Sequence, residues 1–576
     1  MNEYTPTKQQ EVIIKYEGSA FVSACPGAGK TRCIISRAQR ALAASDDGRG
    51  LAFLSYTKTA VSELENRLAN DRLLPNPPLP HFLGTFDSFL WKFFVAPFGI
   101  NGCEASLKLV PDTGTLTVFP FPDNGGRALP LFLFDRKSGK LDTSEAKQKG
   151  FNGDPKWHEA AAARLRKSLL KKGLVDFDDA REIAISNLKE SSFSKRLACI
   201  LRARFKEIIV DEAQDCNPDD LAIVGWLRDV ANIVTKVVCD PNQSIYEFRG
   251  GVSSQLLEFS QTFETKGRLG LTGNFRSTND ICKAVHALRA PSVREDCDIA
   301  MGAMGNENVA IRIISYAGQK VTSKIGEKFS DLALVEEVPL DSCRLVAKTR
   351  NSGLNAVGAH GDDSGNRMCL KIARASKMFQ HATLREQQLK AVAEGHKIAL
   401  EIAGRLDGRS YHQVLEDDSL DELSWRGTIV GILRSLEFNV DAEHNRHEWV
   451  ARAQSAYSQF LPSNYGTIAQ KIKNSKYLDD ILSATPTSDL CPCTIHEVKG
   501  KQYLGVCVVL TTATTKAIIS HLESEPDETA AEDCRELYVA ASRAEKLLAI
   551  ACPKSQSARL AKHLISFGSN VELVEI

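Results

Sequence analysis

Two short stretches of this chain combine residue types that handle phosphate. The first, ACPGAGKT, comprises Ala24, Cys25, Pro26, Gly27, Ala28, Gly29, Lys30 and Thr31. A glycine-rich turn that opens a helix presents backbone N–H groups to an anion, its lysine reaches a terminal phosphate, and the following hydroxyl suits magnesium. Alanine stands where the phosphate-loop pattern usually begins with glycine. The second stretch, IIVDEAQD, ends an apolar run with Asp211 and Glu212. Magnesium takes hard oxygen ligands and hydrolysis needs an oriented water, so Thr31 and Asp211 suit the metal and Glu212 the water. A lone GKT is equally compatible with an ordinary turn, and a lone acidic pair with a solvated one. Together, each behind an apolar run, they point to a magnesium-dependent triphosphate site.

Such residues need a scaffold that delivers them to one edge. SAFVSACPGAGKT (19 to 31) passes from an apolar run through a glycine-rich turn into helical spacing, and LAFLSYT (51 to 57), FKEIIVDEAQD (205 to 215) and KVVCDPNQSIY (236 to 246) continue the alternation. Buried strands alternating with helices predict an α/β fold with a parallel sheet, whose ligands bind beyond the carboxyl ends of the strands. The pattern breaks twice. Residues 107 to 134 hold short apolar runs separated by turn formers, predicting antiparallel strands, and 156 to 204 read as helical. Residues 96–200 are thus expected to be a mixed α+β insertion in a first domain of 1–95 and 201–270. A second domain, 271–349 and 486–576, is expected to carry a mostly α-helical insertion at 350–485.

Composition sets the outer bounds. At 576 residues, 43% hydrophobic and 25% charged, the chain is an ordinary globular protein of several structural units. Lys+Arg and Asp+Glu are both 72, so a polyanion must bind a local basic groove and not a globally positive surface. The 15 cysteines are scattered, and the close pair Cys491 and Cys493 has no second pair at zinc-site spacing, which implies reduced thiols. The N-terminus has no leader-like pattern, and no run reaches the roughly 18 apolar residues of a membrane span, so a cytoplasmic protein is expected.

With the phosphate elements in place, the chain resembles the superfamily 1 DNA helicases of the UvrD, Rep and PcrA type. Eight further segments in family order carry the resemblance: PTKQQEV, SYTKTAVSEL, GTFDSF, VDFDD, CDPNQSIYEFRGG, GNFRST, TIHEVKGKQY and DCRELYVAASRA. It implies two RecA-like P-loop NTPase domains, use of ATP and Mg2+, and a DNA substrate. By position, Gln9 corresponds to the adenine-reading glutamine, Arg32 and Arg37 follow the phosphate loop, and Arg37 matches a nucleotide-contacting arginine. Gln243 corresponds to the γ-phosphate sensor, and Arg276 and Arg543 to arginines that reach the triphosphate from the second domain. Thr57, Thr85, Tyr246, Phe248, Arg249 and His496 correspond to strand contacts. Gln502 stands where the family carries a ribose-contacting glutamate.

Plainer readings exist for several of these. Tyr246 and Phe248 could be core aromatics, His496 a structural histidine, Arg37 part of a solvated helix face, and RLRKSLLKKG (164 to 173) a solvated helix face and not a duplex contact. The compact insertions, GTFDSF running on to FVAPFG, and the ending soon after DCRELYVAASRA resemble more narrowly the helicase subunit of the Gabija anti-phage system. That resemblance implies a partner chain, an OLD-family ATPase-nuclease with a Toprim domain, acting on single-stranded or tailed double-stranded DNA. The implied activity is 3′ to 5′ translocation and unwinding. The rival is a nucleotide-gated, DNA-sensing subunit that regulates a nuclease without processive unwinding.

Overall fold

The computed structural model describes residues 5–43, 48–56, 58–70, 79–100, 105–110, 116–121, 127–136, 138–148, 150–244, 253–291, 294, 297–318, 320–358, 368–382, 385–406, 411, 414–415, 422–438, 446–462, 466–475, 478–483, 490–523 and 528–576. Two six-stranded sheets organise the chain. The first contains β1 (Ala20–Ala24), β2 (Gly50–Ser55), β3 (Phe82–Thr85), β4 (Phe205–Val210), β5 (Val234–Cys239) and β6 (Arg268–Leu271) in the spatial order β6-β1-β5-β4-β2-β3. Every pairing in it is parallel. Its inner strands β1, β2, β4 and β5 are buried along most of their length, as a sheet covered on both faces requires, whereas the edge strands β3 and β6 are partly exposed. Because β1, β5 and β4 are neighbours, the loops leaving them meet at one edge. Those loops carry residues 25–29, Asp240 to Gln243, and Asp211 with Glu212.

The second sheet contains β7 (Ile311–Tyr316), β8 (Cys343–Ala347), β9 (Cys491–Thr494), β10 (Tyr503–Val509), β11 (Ala544–Pro553) and β12 (Val571–Glu575), ordered β9-β8-β10-β11-β7-β12 and again all parallel. The CxC pair lies in its edge strand β9. Ile313, Val346, Val506, Val508 and Ile550 form its core with Leu537 and Tyr538 of the helix Glu528–Ala541.

The chain forms two compact units, one comprising Met1–Phe98, Asp178–Ala359 and Ser488–Ile576, the other Gly99–Phe177 and His360–Thr487. Both sheets belong to the first. The helix Ser191–Arg204 also falls there, although the sequence pattern assigned it to the insertion. It buries Leu197 and Leu201 and runs directly into β4, so it packs as part of the sheet's cover. In the second unit Thr117–Val118 pairs antiparallel with Leu129–Pro130, while Lys108–Leu109 pairs parallel with Leu174–Val175. The antiparallel expectation fails at the latter pair, where the helix Lys156–Lys171 precedes the returning strand. The helices Met368–Gln380, Arg385–Ile402, Glu422–Ser435 and Arg446–Tyr457 share a core around Ile372, Ile398, Leu433 and Trp449. Among the described residues no helix is long and apolar enough to cross a membrane.

Candidate active site

The loop after β1 turns through Gly27 and Gly29, at φ 71° and 73°, a region that favours glycine, and opens into the helix Lys30–Ala43, here α1. Its concave face is closely used. A Cβ at Gly27 would come within 2.5 Å of Asn274 Oδ1, and Phe275 N–H donates to Gly27 O at 2.9 Å. Gln10, buried, donates from Nε2 to Ala28 O at 3.0 Å and completes a capping box with Thr7. Gln9 accepts from Thr272 N–H at 3.1 Å and donates to the Thr272 hydroxyl at 3.0 Å.

Opposite the loop, Asp211 Oδ1 accepts from Glu212 N–H at 2.9 Å, and Glu212 adopts a left-handed φ of 56°, a strained state for a side-chain-bearing residue. Gln214 donates to the Glu212 carboxylate. Burial pushes the Glu212 pKa up, but Lys30, Gln214, Lys499 and Arg543 outweigh it and hold it below the usual range. Burial likewise pulls Lys30 down, yet Glu212, Asp240 and Asp211 overcome it and raise its pKa. Both groups are therefore charged at neutral pH. Thr31, Ser55 and Asp211 line one small cavity at the ends of β2 and β4.

This donor set fits a magnesium triphosphate. The amides of a glycine turn and a helix N-terminus, with Lys30, would hold phosphate oxygens, and Thr31 and Asp211 would hold the metal, which neutralises phosphate charge. Among the described residues no cluster of three or more His, Cys, Asp or Glu is placed to hold a metal.

The second sheet supplies the other wall. Arg543, buried just before β11, donates from Nη2 to Gln243 Oε1 at 2.5 Å and from Nε to Val539 O at 3.1 Å. Gln243 is oriented from behind by Asp240, whose Oδ2 accepts its amide at 2.7 Å and also the Tyr538 hydroxyl at 3.2 Å. Arg276 donates to Ser542 O at 2.9 Å and from Nε to Gln502 Oε1 at 3.1 Å, and burial with the nearby Arg543 lowers its pKa to about 10. Lys499 pairs with Asp215. The structure thus brings together Lys30, Thr31, Asp211, Glu212, Gln243, Arg276, Gln502 and Arg543. Sequence patterns missed Gln10, Asp240, Tyr538 and the Lys499–Asp215 pair, although all lie inside the quoted motifs.

Other candidates lie elsewhere. Arg37 is a correction: its guanidinium uses all five N–H donors on Glu207, Glu17 and Ile14 O, leaving none for a nucleotide. It is a buried structural clamp, neither a nucleotide contact nor a solvated face. Arg32 is exposed on α1. Thr85 caps the helix Phe86–Leu90 by accepting from Ser88 N–H at 3.2 Å. His496 is exposed on the short helix Ile495–Val498. In the basic stretch, Arg166 is bound to Asp135 O and Phe134 O, whereas Arg164 and Lys167 are exposed. Thr57, Tyr246, Phe248 and Arg249 lie outside the described residues.

Comparison with known proteins agrees with this geometry. Residues 5–99 and 127–264 match the model of the UvrD/REP helicase N-terminal domain. The chain is 24% identical over 563 residues to the Gabija protein GajB of Bacillus cereus, covering 95% of this chain and 96% of that protein. It is 25% identical over 297 residues to DNA helicase II of Escherichia coli, covering 49% of this chain but 39% of the relative. With the ATP-dependent DNA helicase UvrD1 of Mycobacterium tuberculosis it shares 24% identity over 370 residues, 60% of this chain and 47% of the relative. These similarities support a UvrD-type helicase, with a UvrD/REP N-terminal domain matched over residues 5–99 and 127–264 and likeness to a Gabija protein along nearly the whole chain.

Proposed function

We propose that this protein is a magnesium- and ATP-dependent DNA translocase and helicase, moving 3′ to 5′ along single-stranded DNA in the cytoplasm. It acts in anti-phage defence with a nuclease partner of the OLD family bearing a Toprim domain. The observation that carries the reading is the Arg543 to Gln243 hydrogen bond, which ties a guanidinium of the second sheet to the edge where Lys30 and Glu212 meet.

Each residue then has a task. Lys30 and the loop amides bind the triphosphate, Gln9 is the adenine contact and Gln502 the ribose contact. Glu212, held ionised, orients the attacking water. Arg276 and Arg543 offset charge that develops on the phosphates, a role worth about 10³ to 10⁵ in rate for such arginines. Gln243 begins the segment that continues to Tyr246, Phe248 and Arg249, so a change at Arg543 reaches the proposed stacking residues. Stacking is worth about 1–3 kcal/mol per base and tolerates any sequence, as a translocase requires. Thr57, Thr85 and His496 complete the strand path.

A strand-displacement assay tests this. With ATP and magnesium, a 3′-tailed duplex should be unwound and a 5′-tailed one should not, and Lys30→Ala should abolish both unwinding and DNA-stimulated turnover. ATP turnover without displacement on any tail, with or without the partner, would reject the motor in favour of a nucleotide-gated sensor.

A further inference from the structure

We infer that Arg181 is a positioning residue for the grip on single-stranded DNA, fixing from behind both segments that carry the candidate contacts Thr57 and Thr85. The inference rests on the proposed function. Arg181 lies on the helix Phe177–Leu188, and its guanidinium is surrounded by carboxylates from three elements. Nε donates to Asp220 Oδ1 at 2.8 Å, Nη2 to Asp87, and Nη1 to Asp178 Oδ1 at 3.4 Å. The arginine side chain is 11% exposed and that of Asp220 1%.

Two of the three carboxylates lead to the segments proposed to contact the DNA strand, while Asp178 lies on the arginine's own helix. Asp87 lies in the first turn of the helix that Thr85 caps. Asp220 accepts the Tyr56 hydroxyl at 3.0 Å, and Tyr56 directly precedes residue 57. The two segments also touch, because the Tyr56 ring stacks on Phe86 at 5.6 Å and 12°. One planar cation therefore sets the spacing of two loops that leave neighbouring strands, β2 and β3. A lysine would keep the charge opposite Asp220 but cannot reach three carboxylates with a fixed fork. The phosphate loop leaves β1, which β4 and β5 separate from β2, so loosening this tie should spare nucleotide binding.

The test uses full-length protein, Arg181→Lys and Tyr56→Phe, a fluorescein-labelled oligothymidylate, and ATPase assays titrated with the same DNA. Arg181→Lys should weaken DNA affinity on the order of tenfold, the scale of a misplaced contact. It should raise the half-saturating DNA concentration while leaving KM for ATP and DNA-independent turnover unchanged. Tyr56→Phe, which keeps the ring stack and removes the hydroxyl that contacts Asp220 Oδ2 and Cys216 Sγ, should show the same split to a smaller degree, and decides the matter should Arg181→Lys fail to fold. Wild-type DNA affinity in folded Arg181→Lys, or in Tyr56→Phe if only that variant folds, would overturn the inference alone, as would a parallel loss of nucleotide and DNA binding. A wild-type protein that holds no strand would overturn the proposed function as well.

Discussion

Lys499 and Asp215 face each other between the two sheets, with the ammonium 2.6 and 2.9 Å from the two carboxylate oxygens and both side chains nearly buried. Removing one partner of a buried pair strands the other charge at a cost of about 3–5 kcal/mol, whereas replacing both is close to neutral. Lys499→Met should therefore lower the unfolding free energy by about 3 kcal/mol in urea titrations, and the double variant Lys499→Met, Asp215→Asn should recover most of the loss. Additive losses would show that the two do not interact.

Arg37 separates architecture from chemistry. Its partner Glu207 is buried, so Arg37→Met leaves an unpaired carboxylate beneath the sheet and should cost about 3–5 kcal/mol. Nucleotide affinity of the fraction that remains folded should match the wild type. A selective loss of nucleotide binding with an unchanged denaturation midpoint would restore the role that the resemblance implies.

Glu212→Gln should reduce ATP turnover by about 10²- to 10⁴-fold while nucleotide still binds, because the amide fills the same space without the charge that orients water. Rapid-quench measurement of a single turnover separates this from slow product release. Turnover close to wild type would exclude Glu212 as the water-orienting group.

The helical core of the second unit should be acid-sensitive. His396 stacks on Trp425 at 3.7 Å and 7°, with Nδ1 3.0 Å from the Tyr411 hydroxyl, and burial together with Arg405 lowers its pKa to about 4. The folded value lies below the unfolded one of about 6.5, so the unfolded chain binds the proton more tightly. Its contribution is complete above about pH 6.5 and is lost as the pH falls toward 4. At pH 5 the loss is about 2 kcal/mol, and His396→Phe should narrow the difference between melting curves followed by tryptophan fluorescence at pH 7.5 and pH 5.

The parts of the site legible in the sequence are those written contiguously. The phosphate loop, Asp211 and Glu212 each follow an apolar strand in one stretch of chain, so local pattern identifies both the element and its end. Arg37 was misread because its partners, Glu17 and Glu207, lie 20 and 170 positions away and no local spacing shows a buried carboxylate. Tyr538 and Asp240 are 298 positions apart and meet only once both sheets exist. The direction of the pairing between Lys108–Leu109 and Leu174–Val175 was illegible for another reason: two-residue strands have no periodicity to read.

Gln9 grips Thr272 at the point where the chain leaves β6 for Gly273, its single passage from the first sheet's domain to the second's. Under the proposed adenine role of Gln9, a base arriving at that amide would compete with the peptide group of the crossover itself. Nucleotide identity would then be registered at the crossover between the two sheets as well as at the phosphate loop.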